Sequence, residues 1–162
     1  MNTQISLLHF FLSGLLLITV LSCTNNSTSV SDSEDETDVD SIISYSNSGA
    51  QAYLVTEING SSASAELDSA NPGVTLRKGD RYTFINNAGA SSHPLDFRNA
   101  DGDKLLGQSN NSGIFDADES VNIVRNGDSI TFTLTDGLAE ELVEYICAFH
   151  PGMKGVITVN DN

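Results

Sequence analysis

The chain has 162 residues, a net charge of −15, 39% hydrophobic residues, two cysteines and no tryptophan. The length allows one domain with a targeting segment and a linker, and the scarcity of cysteine argues against a disulfide-stabilised scaffold. So large an excess of carboxylates argues against nucleic-acid binding, because phosphates would be repelled.

The first 22 residues predict a signal peptide. They contain no Asp, Glu, Lys or Arg and carry an apolar stretch from Leu7 to Leu21. The stretch is short for a membrane span and is interrupted by Ser13 and Gly14. A retained transmembrane anchor is therefore the less favoured alternative.

A short motif closes this segment. The run Val20-Leu21-Ser22-Cys23 resembles a bacterial lipobox, in which the cysteine becomes the lipidated first residue of the mature chain. We expect Cys23 to be lipidated, so that the protein is exported and anchored at the cell surface or the periplasmic face. The alternative is an ordinary signal peptide with a cysteine nearby.

Residues 23–48 are predicted to form a disordered acidic linker. The segment is rich in Ser, Thr, Asn and Asp, and residues 32–40 form a block of negative charge. Such a composition cannot bury enough apolar surface to fold by itself. The folded domain is accordingly placed at residues 49–162.

From residue 49 onward the pattern predicts an all-β domain. Short runs of β-branched and aromatic residues are separated by glycine-containing turns, and two Gly-Asp turns, at residues 79–80 and 127–128, each lead into such a run. Residues 101–119 are expected to be a long excursion with little regular structure. A short helical turn is expected after residue 137. The predicted strands are 52–58, 75–77, 81–85, 129–134, 144–147 and 155–159. Short strands with frequent turns indicate a β-sandwich or barrel.

The metal-binding side chains of the predicted mature domain form one set. Once the initiator methionine, the signal-peptide histidine and the lipidation cysteine are set aside, every remaining thiol, imidazole and thioether belongs to it: His93, Cys147, His150 and Met153. Two imidazoles and a thiolate around copper, with a weak axial thioether, form a blue-copper electron-transfer centre. We therefore predict that these four side chains hold one copper ion that cycles between Cu(I) and Cu(II).

The spacing of the four predicted ligands supports this interpretation. Three of them lie in the segment from Cys147 to Met153, where Pro151 and Gly152 allow the loop to fold back. His93 lies far away in the sequence, so the site forms only when the sheets pack. A disulfide between Cys23 and Cys147 is the alternative for the two cysteines, and it would abolish the site.

These features resemble the cupredoxins, in particular the plastocyanin, amicyanin and halocyanin group. The resemblance covers roughly residues 50–160 and rests on the strand at 79–84, the His93 segment, the loop from Cys147 to Met153 and the closing strand at 154–159. It implies a Greek-key β-sandwich, cupredoxin-like, with copper at one end and electron transfer as the activity. The two-residue gap between His150 and Met153 is similar to the short amicyanin-type loop.

One position departs from the resemblance. Plastocyanins usually carry Asn directly after the first histidine ligand, where its side chain helps to fix the thiolate loop, whereas this chain has Pro94. Substitute hydrogen bonds could come from nearby polar side chains, and the candidates are Asn86, Asn87, Ser91 and Ser92.

The leading functional prediction is a monomeric one-electron carrier. The resemblance implies that protein redox partners dock on an apolar patch at Phe149, His150 and Pro151. A copper-delivery module of the same fold is the first alternative, and the ligand set does not separate the two. An enzyme, such as a copper oxidase or reductase fragment, is less favoured because it would need further histidines or an open coordination position. The acidity could steer a basic partner or keep the protein soluble in a saline habitat, and we favour solubility.

Overall fold

A computed structural model describes residues 38–161, which form a sandwich of two β-sheets. The predicted signal peptide, Cys23 and most of the predicted linker lie outside the described residues. Within these residues there are eleven strands: β1 (Ser41–Ser48), β2 (Ala52–Gly60), β3 (Ala63–Ala65), β4 (Val74–Arg77), β5 (Arg81–Asn86), β6 (Leu95–Arg98), β7 (Lys104–Gly107), β8 (Val124–Asn126), β9 (Ser129–Thr133), β10 (Glu144–Cys147) and β11 (Lys154–Asn160). A 3₁₀ helix spans Glu119–Val121 and the helix α1 spans Asp136–Glu141. No helix in this part of the chain is long and apolar enough to cross a membrane.

The strands divide into a five-stranded and a six-stranded sheet. Their orders are β2-β1-β5-β9-β8 and β3-β4-β11-β10-β6-β7. Each sheet contains one parallel pair, β1 with β5 and β4 with β11, while the remaining pairs are antiparallel. Because consecutive strands repeatedly change sheets, the chain has the Greek-key sandwich architecture predicted from the sequence.

Aromatic rings fill the space between the two sheets. Along β5 the even-numbered residues point inward, which gives the alternating burial expected of a strand with one face on the core. Phe84 of β5 packs on Phe97 of β6 and Phe132 of β9, with ring centroids 4.8 and 5.4 Å apart. All three side chains are fully buried. The sheets are therefore joined by ring contacts that fix their relative position.

The predicted elements of the domain are largely present. Strand β10 covers the predicted residues 144–147, and α1 precedes it as the short helical turn expected there. The predicted excursion at 101–119 is more regular than expected, because it contains β7, whose Leu105 and Leu106 are fully buried. Four residues flanked by polar turns are too short a run to show a recognisable alternation.

The predicted boundary between linker and domain was wrong at its C-terminal end. Residues 41–48, assigned to the acidic linker, form β1, which lies between β2 and β5 in the sheet. Ile43 and Tyr45 of this strand are fully buried. A strand inside a sheet needs apolar residues at alternate positions only, so a segment rich in Ser and Asn satisfies the requirement. The folded domain therefore includes Ser41.

Candidate metal centre

The pairing of β6 with β10 explains how a remote histidine reaches the cysteine loop. These strands are antiparallel neighbours, so the start of β6 lies beside the end of β10, and Leu95 pairs with Cys147. His93 stands two residues before Leu95. The segments remain joined beyond the strands, because the Ala148 N–H donates to the Pro94 carbonyl oxygen at 2.9 Å. The sandwich thus brings the two predicted ligand segments to one end of the molecule.

Three of the four predicted ligands converge on one point. His93, Cys147 and His150 place one donor atom each within 4.8 Å of one another. The Cys147 sulfur lies 3.5 Å from Nδ1 of His150 and 3.9 Å from Nδ1 of His93. The two imidazole rings are 4.7 Å apart between centroids. Both histidines therefore present the same nitrogen, Nδ1, toward the thiol.

The arrangement fits a bound metal ion. Bonds of roughly 2.3 Å to sulfur and 2.0 Å to nitrogen, separated by about 120°, place the two donor atoms about 3.7 Å apart. The two sulfur–nitrogen separations observed here lie on either side of that value. A soft sulfur combined with two imidazoles suits copper in both of its oxidation states. These three side chains therefore fit a copper ion, because their donor atoms are spaced about as far apart as the donor atoms around one metal ion.

Met153 belongs to the same loop and its side chain is fully buried. A turn over residues 150–153 is closed by a hydrogen bond from the Met153 N–H to the His150 carbonyl oxygen at 2.9 Å. Pro151 occupies the second position of this turn, where its restricted backbone is favoured. The Met153 carbonyl in turn accepts the Cys147 N–H at 2.9 Å. The loop is compact, and axial ligation by Met153 stays a prediction.

The protonation states favour metal binding at His93. Its pKa is lowered from the ordinary histidine value, chiefly by desolvation and secondarily by the charge of His150. A neutral imidazole is the form that binds a metal. The Cys147 side chain is a free thiol and is buried. Burial, followed by the proximity of the Cys147 side chain, raises the pKa of Tyr53 well above the ordinary tyrosine value, so its hydroxyl remains a neutral donor.

Asn86 supplies the hydrogen bonds that Pro94 cannot. Its side chain is fully buried. The amide nitrogen donates to the His93 carbonyl oxygen at 2.6 Å and to Oε1 of Gln108 at 2.9 Å. The amide oxygen accepts the Ala88 N–H at 3.1 Å. Among the four polar candidates considered from the sequence, Asn86 is thus the one whose side chain holds the His93 segment.

Two residues that the sequence analysis did not single out also contact His93. The Tyr53 hydroxyl donates to the His93 carbonyl oxygen at 2.5 Å, and the Asn47 amide nitrogen lies 3.4 Å from His93 Nε2. Asn47 could not be found from the pattern, because it falls in the segment that composition assigned to the linker. Tyr53 lies in a predicted strand, where a tyrosine is ordinarily interpreted as a core residue.

The comparison with known families agrees with this geometry. A family model described as "Copper binding proteins, plastocyanin/azurin family" matches residues 56–160. No curated protein matches the chain closely enough to be counted as a relative. The match spans more than half of the chain, including all four predicted ligands. The chain therefore belongs to the plastocyanin/azurin family of copper-binding proteins, and it is a cupredoxin that binds a single copper ion.

Proposed function

We propose that this protein carries single electrons between redox partners. The observation that supports the proposal is the convergence of His93, Cys147 and His150, whose donor atoms all lie within 4.8 Å in the folded chain. When bound there, copper supplies a Cu(I)/Cu(II) couple. Because the sandwich already holds the donors at this spacing, little movement of the protein is needed between the two oxidation states.

The surface around His150 supports docking of a protein partner. His150 is partly exposed, and the neighbouring Phe149 side chain is 59% exposed. The segments at this end of the sandwich, residues 47–51, 87–92, 126–128 and 148–153, contain a single acidic residue, Asp128, and no Lys or Arg. An apolar, nearly uncharged patch can be desolvated at low cost when a partner approaches. We propose that Phe149, His150 and Pro151 form this docking patch.

The docking patch is tested by charging it. The Phe149→Glu variant should lower the bimolecular electron-transfer rate with a protein partner, because a carboxylate must then be desolvated in the interface. Val156→Glu is the matched control, since Val156 is similarly exposed, at 63%, on β11. Equal rates for the Phe149 variant and the wild type would remove this patch from the proposal.

Electron transfer is favoured over copper delivery by the burial of the sulfur ligands. Cys147 and Met153 are 1% and 0% exposed. Transfer of Cu(I) to another protein requires incoming ligands to reach the ion, whereas electron transfer requires only a nearby edge such as the His150 ring. The four predicted ligands would also leave copper no open coordination position for a substrate. We therefore propose that the protein is not an enzyme.

We further propose that the domain works outside the cytoplasmic membrane. The apolar segment before Cys23 and the lipobox-like run support export and lipid anchoring. The acidic linker would then separate the domain from the lipid surface. Mass spectrometry of the mature protein from membranes tests this: a diacylglyceryl group on Cys23 is expected, and a mature chain that retains residues 1–22 would contradict it.

The direct test of the copper function is spectroscopic. The chain from Thr24 onward should take up one Cu(II), develop an intense visible band from thiolate-to-copper charge transfer and give a reversible one-electron wave. Cys147→Ser should remove the band, whereas Met153→Leu should retain copper and shift the reduction potential. A colourless wild type that passes Cu(I) rapidly to a chelating partner would contradict electron carriage and support delivery.

A further inference from the structure

The hairpin formed by β1 and β2 holds His93 at two separate atoms. The Tyr53 hydroxyl donates to the His93 carbonyl oxygen at 2.5 Å, and the Asn47 amide nitrogen lies 3.4 Å from His93 Nε2. Asn47 and Tyr53 are directly paired across the hairpin. Both residues lie outside the segment 56–160 that the family model matches. The family match therefore covers neither of the two residues that make these contacts.

The orientation of the imidazole determines what Asn47 can do. His93 directs Nδ1 toward the Cys147 sulfur at 3.9 Å, so Nε2 is the nitrogen that faces away from the metal site. An imidazole that binds a metal through Nδ1 carries its proton on Nε2, and this N–H needs an acceptor. Asn47 is the side chain in position to provide one.

In the described structure the Asn47 amide presents its nitrogen to His93. The same nitrogen donates to the Gly49 carbonyl oxygen at 2.9 Å. An unprotonated Nε2 can accept from this N–H group, whereas a protonated Nε2 faces it as a second donor. Turning the amide by about 180° replaces the nitrogen with Oδ1, which breaks the hydrogen bond to the Gly49 carbonyl oxygen and forms one from Nε2–H to Oδ1.

We propose that Asn47 and Tyr53 are positioning residues that hold His93 in its metal-binding orientation. Asn47 accepts the Nε2–H group through Oδ1 once Nδ1 is engaged, and Tyr53 fixes the His93 main chain from the paired strand. This inference rests on the proposed role of His93 as a copper ligand. It adds the hairpin as part of the site, and the first strand of that hairpin, β1, is the one that sequence composition had placed in a disordered linker.

Two substitutions of Asn47 separate an acceptor role from a turn-holding role. Asn47→Ala removes both the acceptor and the donor and should weaken Cu(II) binding about tenfold or more. Asn47→Asp retains an acceptor for Nε2–H but cannot donate to the Gly49 carbonyl oxygen. Its affinity for Cu(II) should equal or nearly equal that of the wild type. Its reduction potential should be lower, because the added negative charge favours Cu(II) over Cu(I). Asn59→Ala and Asn59→Asp are matched controls on the exposed far end of β2. If Asn47→Asp loses as much affinity as Asn47→Ala, the acceptor role is overturned.

Removal of the Tyr53 hydroxyl tests the second contact. Tyr53→Phe should lower copper affinity and shift both the reduction potential and the visible band. Tyr145→Phe is the matched control, because it also removes a buried hydroxyl, one that donates to the Pro72 carbonyl oxygen at 2.7 Å instead of to His93. Tyr145→Phe should reduce the free energy of unfolding and leave the band in place. Equal spectroscopic shifts in the two variants would overturn the assignment of Tyr53.

The Nε2–H group itself can be observed by proton NMR of the Cu(I) protein, which is diamagnetic. The wild type should show a slowly exchanging imidazole N–H signal for His93, and Asn47→Ala should lose its protection from exchange. A wild type without a blue copper site would refute the proposed function. A blue wild type whose Asn47→Ala variant keeps the same affinity, potential and N–H protection would refute this inference alone.

Discussion

At the scale of single residues, the site depends on how one main-chain carbonyl is held. The His93 carbonyl oxygen accepts hydrogen bonds from Asn86 at 2.6 Å and from Tyr53 at 2.5 Å. Pro94, which follows it, has no N–H and cannot contribute a donor of its own. The hydrogen bonds to this carbonyl therefore come from strands β5 and β2. A ligand held by the scaffold in this way keeps its orientation when no metal is bound.

Replacement of Asn86 should affect both stability and copper binding. Asn86→Ala removes the amide that joins His93, Gln108 and the Ala88 N–H, and the loss of buried hydrogen bonds should lower the free energy of unfolding by about 1–3 kcal/mol. Copper affinity should fall as well, because the His93 segment loses a support. Urea denaturation of the metal-free protein and copper titration measure the two effects.

Asn87→Ala is the control for Asn86→Ala, because Asn87 is the next residue and its side chain is exposed. It should leave both quantities close to those of the wild type. If Asn86→Ala changed the free energy of unfolding and the copper affinity no more than Asn87→Ala, the support assigned to Asn86 would be wrong.

The three side chains that converge, His93, Cys147 and His150, could be proposed from residue types alone, because soft and imidazole donors are scarce in this chain. The residues around them could not. Asn86 was one of four polar candidates, and only the fold shows that its amide points inward. Asn47 lies 46 positions before His93, and nothing in the sequence indicates that β1 passes beside that residue.

At the scale of elements, strands were predictable where alternate residues are apolar. Strand β5 shows this pattern, with Tyr82 and Phe84 buried and Thr83 only partly buried. Strand β1 fails the same test by composition, since half of its eight residues are serine, although Ile43 and Tyr45 reach the core. Besides β2, the next strand in the chain, β1 pairs in parallel with β5, which is distant in the sequence. Sequence patterns contain no information about such pairing.

The position of β1 inside its sheet predicts where the chain can be shortened. A chain of residues 38–161 should fold cooperatively, whereas one of residues 49–161 should not, because β2 would lose its only strand partner in that sheet and β5 one of its two. Fully buried Ile43 and Tyr45 would also leave a gap in the core. Near-UV circular dichroism and thermal unfolding distinguish the two chains. A cooperative transition in the shorter chain would show that β1 is dispensable.

At the scale of the whole molecule, the sandwich separates its N-terminal connection from the copper end. Strands β1 and β5 run in parallel, from Ser41 and Arg81 at one end to Asn47 and Asn86 beside His93 at the other. A strand of eight residues spans roughly 26 Å. Ser41, the first residue of β1, thus lies at the end of the sandwich opposite the metal centre. Under the proposed lipid anchoring, the docking patch would stay accessible to partners.

The charge of the chain predicts how salt affects its stability. With 22 acidic residues against seven Lys and Arg, repulsion between carboxylates opposes folding. The ion pairs of Asp96 with Lys104 and of Asp116 with Arg125 are largely buried and little screened. Raising NaCl from about 10 mM to about 500 mM should therefore increase the free energy of unfolding by roughly 1 kcal/mol. Urea denaturation at each salt concentration measures the change, and repetition near pH 4 should give a smaller increase because part of the carboxylates are then protonated. A decrease with salt at neutral pH would show that attraction between paired charges outweighs the repulsion.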